Sequence, residues 1–361
     1  MEGMDTSFFR PELSTLPAYV PGKKGADESV IKVASNELPF PTLPMVQAAI
    51  NAHVGGLHRY PDMFATELTA DIAAYHHVSV DNIAVSNGSS AMIEKALNAV
   101  AVPGAEVVVP WRSFESYPIA AQKEGLTFVP VPLRADGNAD LWAMYRAITP
   151  ATRAMIVCTP NNPTSAALTH TELVTFLAEV PSNVLVLLDE AYIDFVEMDD
   201  VVDGVAIVGQ FPNVISLRTF SKAYSLAGLR IGYTIGAPEV ISVLRGLGTP
   251  FGVSDLAQVA ARAALQSRTL VNERIAVIKA EREKLVAALA AQGWSVPTPQ
   301  ANFVWFDLGE RAAEFTEICA ESGISVRTFA GEGTRVTIAE PEASLRLLRA
   351  LAEFRKRYPE S

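Results

Sequence analysis

Cysteine is scarce in this sequence, with only Cys158 and Cys319 among 361 residues. Two cysteines cannot form the disulfide framework of a small secreted domain, and both are expected to be inert core residues in a reducing cytoplasm. The sequence also lacks an apolar run of the roughly 18 residues that a membrane span requires. Residues 1–10 carry acidic side chains and no apolar core, unlike a secretory signal. A cytoplasmic protein without a membrane segment is therefore expected.

Positive charge is also in short supply. Lysine and arginine number 29 against 40 aspartates and glutamates, which gives a net charge of −11. The basic residues are scattered, and the closest approach to a cluster, residues 355–357, ends a predicted helix whose dipole it complements. This distribution argues against a nucleic-acid partner, which usually requires a basic stripe. The five histidines have none of the spacings that bind a metal, so no metal site is expected.

Apolar side chains are abundant, at 49% of the residues, and the length suits one large domain with a smaller one. Short apolar segments alternate with helical ones through the middle of the chain, as in a mostly parallel sheet covered by helices. The predicted strands are residues 83–86, 106–109, 154–158, 184–188, 214–217 and 231–235.

The pattern changes near residue 255. A helical stretch over about 256–292, broken near Ser267, precedes predicted strands over 302–307, 325–327 and 335–338 and helices over 312–322 and 342–358. This order is typical of a smaller α+β domain. We therefore predict an α/β protein with a proline-rich N-terminal arm over 1–40, a large domain over 41–255 and a small C-terminal domain over 256–361.

Several predicted strands are followed by residues that suit a ligand, which in an open α/β sheet binds beyond the carboxyl ends of the strands. Ser89 and Ser90 suit a phosphate at a helix start, although serine is also common there as a cap. Trp111 suits stacking on a flat ring, although taken by itself it is better explained as an ordinary core aromatic. Asn162 stands in a rigid proline-flanked turn that presents its amide, although turn formation alone also explains it.

Two further segments carry charged groups. Asp189 ends an apolar strand, where its carboxylate needs a positive partner unless it caps a helix, and Tyr192 lies three residues on. After the strand over 214–217, hydroxyl residues precede Lys222 and an arginine follows it. Hydroxyls and a guanidinium match a phosphate, and a lysine among them can form an imine with a carbonyl. A lone lysine is usually a surface residue, but this combination is far more specific.

These motifs closely resemble those of the fold-type I aminotransferases, which depend on pyridoxal 5'-phosphate (PLP), and the resemblance covers nearly the whole chain. The motifs are Asn162-Pro163-Thr164, Asp189-Glu190-Ala191-Tyr192, Ser221-Lys222, Arg230, Ala34-Ser35-Asn36-Glu37, Arg59-Tyr60-Pro61-Asp62, Ala301-Asn302-Phe303 and Arg335. Within that family the chain resembles the histidinol-phosphate aminotransferase branch. Segments 16–23, 111–115, 161–165 and 300–305 are most similar to the actinobacterial aromatic (phenylalanine) aminotransferases of that branch.

The resemblance implies the fold-type I fold and a set of catalytic residues: Lys222, Asp189 and Tyr192. Lys222 is expected to bind PLP as a Schiff base and to shuttle a proton, while Asp189 keeps the pyridine nitrogen protonated. Asn162 and Tyr192 are expected to bind the phenolic oxygen of the ring, and Trp111 to stack on it.

The resemblance also implies a phosphate site and a substrate site. The phosphate site comprises Ser89, Ser90, Thr219, Ser221 and Arg230, with Tyr60 supplied by the neighbouring subunit of a homodimer. In the substrate site, Arg335 grips the α-carboxylate, and Tyr19, Asn36 and Asn162 lie nearby. Arg327 is a candidate for a second anion.

Two departures from the family pattern weaken the histidinol-phosphate alternative. Most relatives have glycine after Asn-Pro-Thr, whereas this chain has Ser165, which cannot adopt a positive φ as freely, so the turn is expected to differ. Most histidinol-phosphate enzymes have tyrosine at the stacking position, which we assign to Trp111.

The resulting hypothesis is an aminotransferase that moves the amino group of phenylalanine, tyrosine or tryptophan to 2-oxoglutarate by a ping-pong mechanism, giving aromatic 2-oxo acids and glutamate. The alternatives are a histidinol-phosphate aminotransferase, a PLP lyase or decarboxylase on the same scaffold, and a PLP-fold protein without turnover.

Overall fold

The computed structural model describes residues 10–17 and 29–359. The described strands are β1 (Ile31–Lys32), β2 (Ile83–Ser86), β3 (Glu106–Trp111), β4 (Thr127–Pro132), β5 (Thr152–Cys158), β6 (Leu185–Asp189), β7 (Val214–Thr219), β8 (Gly232–Ile235), β9 (Phe303–Asp307), β10 (Ile324–Ser325), β11 (Arg327–Phe329) and β12 (Gly333–Thr337). The described α-helices are α1 (Pro44–His53), α2 (Thr66–His76), α3 (Ser89–Val100), α4 (Ser116–Glu124), α5 (Leu141–Arg146), α6 (His170–Leu177), α7 (Gly204–Gln210), α8 (Pro238–Gly246), α9 (Asp255–Gln266), α10 (Arg268–Ala291), α11 (Ala312–Glu321) and α12 (Pro341–Arg357). Among the described residues, no helix combines the length and the apolar composition needed to cross a membrane.

Seven of the described strands form one sheet in the order β2-β8-β7-β6-β5-β3-β4. All neighbouring pairs are parallel except those of β8, which runs antiparallel to both β2 and β7. The six strands predicted for this part of the chain are therefore present, but β4 is a seventh that the sequence pattern missed. Its prolines, Pro130 and Pro132, argue against a central strand, and β4 lies at the edge of the sheet, where proline is tolerated.

Apolar side chains cover both faces of this sheet. Successive residues of β3 and β5 alternate between two clusters, as strand geometry requires. Helices α3, α4 and α8 pack on one face, and α5, α6 and α7 pack on the other. The central strands of the sheet are thus buried on both sides, which leaves the strand ends as the place where a ligand can reach them.

The second part of the fold combines both ends of the chain. Strands β11, β12 and β9 form an antiparallel sheet, and β1 pairs in parallel with β10, with Ile31 opposite Ile324. The long helical stretch breaks at Ser267, as predicted, where the hydroxyl donates to the carbonyl oxygen of Ala263 over 2.8 Å. The division of the chain at residues 40 and 255 stays a prediction.

Candidate active site

A cavity of about 200 Å³ lies at the carboxyl edge of β5, β6 and β7, where the parallel register aligns Cys158 with Asp189. It is closed on the other side by residues of β11, β12 and the N-terminal segment. The structure brings most of the predicted site residues to its wall: Asn36, Ser89, Ser90, Asn162, Asp189, Tyr192, Thr219, Ser221, Lys222, Arg230, Arg327 and Arg335.

Lys222 projects into this cavity from the segment that follows β7. Its Nζ donates a hydrogen bond to the carbonyl oxygen of Ser35 over 3.1 Å and lies 5.5 Å from the centre of the Tyr192 ring. Burial above all, together with the guanidinium groups of Arg335 and Arg230, lowers the pKa of the Lys222 amine from 10.5 to about 7, against the opposing effect of nearby carboxylates. A substantial share of this amine is therefore neutral and nucleophilic near pH 7.

Asp189 is the last residue of β6 and is buried. Burial raises the pKa of its carboxyl from 3.8 to about 6, and the hydrogen bond from Tyr117 opposes that rise. The Tyr117 hydroxyl donates to Oδ2 over 2.8 Å and the Ala191 amide donates to Oδ1 over 3.1 Å. A buried carboxylate with this pKa is well suited to pair with a cationic nitrogen of a ligand.

An anion-binding corner forms where α3 begins. Gly88 precedes the helix with a φ of +83°, and a Cβ there would lie 2.8 Å from Nη2 of Arg230. Arg230 donates through Nη1 to the hydroxyl of Ser221 over 3.2 Å, and the Ser221 amide donates to the hydroxyl of Thr219 over 3.1 Å.

This corner offers a guanidinium, two hydroxyl side chains and the first amides of a helix without a side-chain cap, in a space that only glycine keeps open. The described residues thus match the needs of a phosphate group.

The substrate side of the cavity is built around Arg335 of β12. Its Nη1 donates to Oδ1 of Asn162 and its Nη2 to the carbonyl oxygen of Ala34, both over 2.6 Å. Asn36 donates through Nδ2 to the Tyr192 hydroxyl over 2.9 Å. These contacts fix a guanidinium that suits bidentate recognition of a carboxylate.

Trp111 lies away from the cavity, contrary to the stacking role expected from the sequence. Its ring meets Phe128 edge to face, with 5.3 Å between centroids, and the Arg112 guanidinium covers it at 4.2 Å. Because β3 continues through Trp111 before the chain turns, the aromatic ring that reaches the cavity is that of Phe114, three residues later. We therefore transfer the proposed stacking role from Trp111 to Phe114.

Ser165 takes a positive φ of +66°, so the turn keeps the left-handed conformation that glycine favours. The expectation that serine changes this turn is wrong, and its hydroxyl gives a reason: it accepts a hydrogen bond from the Ala301 amide over 2.9 Å. The Ser165 carbonyl also accepts one from the Gln300 amide over 2.7 Å. Serine therefore ties this turn to the segment that leads into β9.

Tyr60, like Trp111, does not line this cavity. Tyr60 is 81% exposed and stacks on Phe251 with 4.6 Å between ring centroids. Tyr19 lies outside the described residues.

The sequence reasoning gave no role to several residues that line the cavity, among them Phe329 and, after β3, Ser113, Phe114, Glu115 and Tyr117. For the four residues after β3, the available signal was their position beyond the carboxyl end of an apolar strand. Cys158, expected to be an inert core residue, also lines the cavity, but burial raises the pKa of its thiol to about 12. In the described part of the chain, no group of three or more histidine, cysteine or acidic side chains is placed to hold a metal ion.

A lysine amine, a buried carboxylate and an anion-binding corner around one cavity define an enzyme of the kind that works on a phosphorylated ring-bearing cofactor. Residues 28–351 match the family of class I and II aminotransferases, and the chain belongs to that family.

Curated relatives include the aromatic amino acid aminotransferase of Streptomyces avermitilis, which is 47% identical over 349 residues. That alignment covers 96% of this chain and 97% of the relative. The aromatic amino acid aminotransferase of Thermobifida fusca is also 47% identical, over 97% of this chain and 98% of its own length.

Solved structures give the same fold. The histidinol-phosphate aminotransferase of Sinorhizobium meliloti, in complex with pyridoxal-5'-phosphate, aligns with a TM-score of 0.88 and 27% identity. The alignment covers 98% of this chain and 99% of that one. A mutant aspartate aminotransferase of Thermus thermophilus aligns with a TM-score of 0.81 and 23% identity over 98% and 99% of the two chains, a likeness of fold alone. The predicted α/β fold of a fold-type I aminotransferase is therefore confirmed.

Proposed function

We propose that this protein is a PLP-dependent aminotransferase that moves the amino group of phenylalanine, tyrosine or tryptophan to 2-oxoglutarate. The observation that carries the proposal is the 47% identity, over almost the full length, to aromatic amino acid aminotransferases. The cavity supports it, because Phe114 and Phe329 line it together with Arg335 and Lys222. An arginine for a carboxylate next to aromatic walls suits an aromatic amino acid.

The residues that line the cavity have different roles in this reaction. Arg335 holds the α-carboxylate of the substrate, and Asn162, whose Oδ1 accepts from Arg335, keeps its amide nitrogen as a donor to a ligand oxygen. Asn36 and Tyr192 form the neighbouring hydrogen-bonded pair. Bound PLP supplies an electron sink that stabilises negative charge at the substrate Cα. The Lys222 amine, whose pKa is about 7, would accept the proton from the substrate Cα and shuttle it to C4′ of the cofactor.

The remaining residues bind and orient the cofactor. Asp189 holds a proton on the ring nitrogen of the cofactor, and Ser89, Ser90, Thr219, Ser221 and Arg230 bind the phosphate. Phe114 packs on the ring.

We further propose that the enzyme is a cytoplasmic homodimer in which Tyr60 completes the phosphate site of the partner subunit. Tyr60 is 81% exposed and Phe64 is 69% exposed, and both belong to the segment between α1 and α2. Exposed aromatic rings of this size are typical of a surface that another chain covers. Sedimentation of the holoenzyme is expected to give a dimer.

The test is a comparison of amino donors with purified, PLP-loaded protein and 2-oxoglutarate. Phenylalanine, tyrosine and tryptophan are expected to yield glutamate, measured by a coupled assay. If histidinol phosphate exceeds them by orders of magnitude in kcat/KM, the histidinol-phosphate alternative replaces this proposal. Consumption of amino acid without glutamate would favour a lyase, and absence of any cofactor absorbance band would favour a protein without turnover.

A further inference from the structure

This inference rests on the proposed function, which requires one cavity to bind two substrates whose side chains differ in charge. The same cavity must receive an uncharged aromatic side chain from the donor and a second carboxylate from the dicarboxylate acceptor. A guanidinium buried in the cavity would serve the acid, but when the substrate side chain carries no charge its burial without an anionic partner would be costly.

Arg327 is the cation in question. It lies on β11 directly opposite Arg335 of β12, so the two side chains start from neighbouring positions on one face of the small sheet. Both line the cavity, and the Arg327 side chain is only 8% exposed. A ligand whose one carboxylate sits on Arg335 therefore has a second guanidinium within reach.

Glu115 holds this guanidinium. Its Oε2 accepts a hydrogen bond from Nη2 of Arg327 over 2.5 Å, and it lines the same cavity. The Glu115 side chain is 28% exposed, more than its partner, and it stands immediately before α4. A carboxylate at that helix start can turn towards water at lower cost than the buried arginine can.

We propose that Glu115 is a specificity-determining residue that exchanges places with the substrate. With an aromatic side chain in the cavity, Glu115 stays on Arg327 and neutralises it. With a dicarboxylate, the distal carboxylate takes the place of Glu115 on Arg327, and Glu115 turns outward. Both states keep Arg327 paired, so one cavity serves both half-reactions.

The test uses Glu115→Gln in the PLP-loaded enzyme, with each half-reaction followed separately by the absorbance of the bound cofactor. The glutamine no longer competes as an anion for Arg327. The ratio of kcat/KM for glutamate to that for phenylalanine is expected to rise about tenfold, mainly through a lower KM for glutamate. Arg327→Gln is expected to shift the ratio by a similar factor in the opposite direction.

Glu332→Gln is the matched control. Glu332 forms a comparable ion pair with Arg112 but does not line this cavity, so the ratio should stay at the wild-type value. A ratio in Glu115→Gln within twofold of that in Glu332→Gln would overturn the proposal while leaving the aminotransferase function intact. If the wild-type enzyme converts no aromatic amino acid, the proposed function itself fails.

A readout without variants covers the case in which a variant does not fold. A crystal structure of the wild-type holoenzyme with succinate should show a succinate carboxylate on Arg327 and Glu115 turned away. Succinate bound with the Glu115–Arg327 pair intact would overturn the exchange.

Discussion

The hydroxyl of Tyr117 donates a hydrogen bond to Oδ2 of Asp189 over 2.8 Å, and both side chains are buried. This bond joins the first turn of α4 to the end of β6, so a helix on one face of the sheet controls the charge of a group at the strand ends. Because the bond stabilises the ionised carboxylate, it lowers a pKa that burial alone raises.

Replacement of Tyr117 by phenylalanine should therefore weaken cofactor binding. Without the hydrogen bond, the pKa of Asp189 rises beyond about 6 and less carboxylate is ionised at pH 7. We expect the Kd for PLP in this variant to be roughly tenfold higher than in the wild type at pH 7, which corresponds to about 1.4 kcal/mol. At pH 9 the difference in Kd between variant and wild type should be smaller. Fluorescence titration measures both values. Tyr145→Phe, at a partly exposed position, serves as the control, and an equal loss at both pH values would contradict the explanation.

The raised pKa of Asp189 also predicts a pH dependence of stability in the protein without cofactor. Between pH 4 and 6 the folded state holds this proton while the unfolded chain releases it, so the free energy of unfolding falls as the pH rises. The loss from this one group is about 3 kcal/mol. The Asp189→Asn variant lacks this titrating group and therefore this loss. Urea denaturation should show that the free energy of unfolding of the variant, relative to that of the wild type, increases from pH 4 to 6. A constant difference over that range would refute the assignment.

Lys222 should be the lysine that reacts at the lowest pH in the apo-protein. With a pKa of about 7 rather than 10.5, its labelling by an amine reagent is expected to reach half its maximal rate near pH 7. Peptide mass spectrometry follows the modification residue by residue. Arg335→Gln removes a neighbouring positive charge, so the midpoint should move to higher pH; a midpoint near 10 in the wild type would contradict the burial argument.

Two substitutions at Ser165 distinguish the effect of its backbone conformation on stability from the effect of its side-chain hydrogen bond. Ser165→Ala removes the acceptor of the Ala301 amide and keeps a Cβ at positive φ, and should destabilise the protein by about 1–3 kcal/mol. Ser165→Gly loses the same bond but relieves the backbone, so its loss should be smaller by roughly 1 kcal/mol. Chemical denaturation measures both, and alanine matching or exceeding glycine in stability would disprove this account.

The strand ends were the predictable part of this molecule. Asp189 closes β6 and Lys222 follows β7, and parallel strands bring their carboxyl ends to one edge, so sequence order and sheet geometry suffice to place these two near one another. Arg230 precedes β8, whose antiparallel direction brings its start to the same edge. Asn36 and Arg335, by contrast, were assigned only through family motifs, because their approach depends on how β12 packs on the N-terminal segment.

The predictions that were wrong, for Trp111 and Ser165, concern positions where the path of the chain in three dimensions determines what each residue contacts. Trp111 and Phe114 are both aromatic and lie three residues apart, and only the length of β3 determines which one reaches the cavity. Ser165 lacks the freedom of glycine, but a distant amide, that of Ala301, compensates for the conformation. Neither the choice of aromatic ring nor the hydrogen bond to Ser165 can be predicted from the neighbouring residues alone.

The pairing of Asn36 with Thr337 has a consequence for how the enzyme is made. The Asn36 amide donates to the Thr337 hydroxyl across 301 residues of sequence, over 2.9 Å. At a synthesis rate of about 5–20 residues per second, the N-terminal half of this contact waits roughly 15–60 s for its partner to leave the ribosome. The central sheet can assemble in that interval, but the wall of the cavity formed by Asn36 and Arg335 cannot. A nascent chain that stalls before β12 therefore holds a lysine and an anion-binding corner without the substrate wall, and competence for the reaction arises only after β12 has been synthesised.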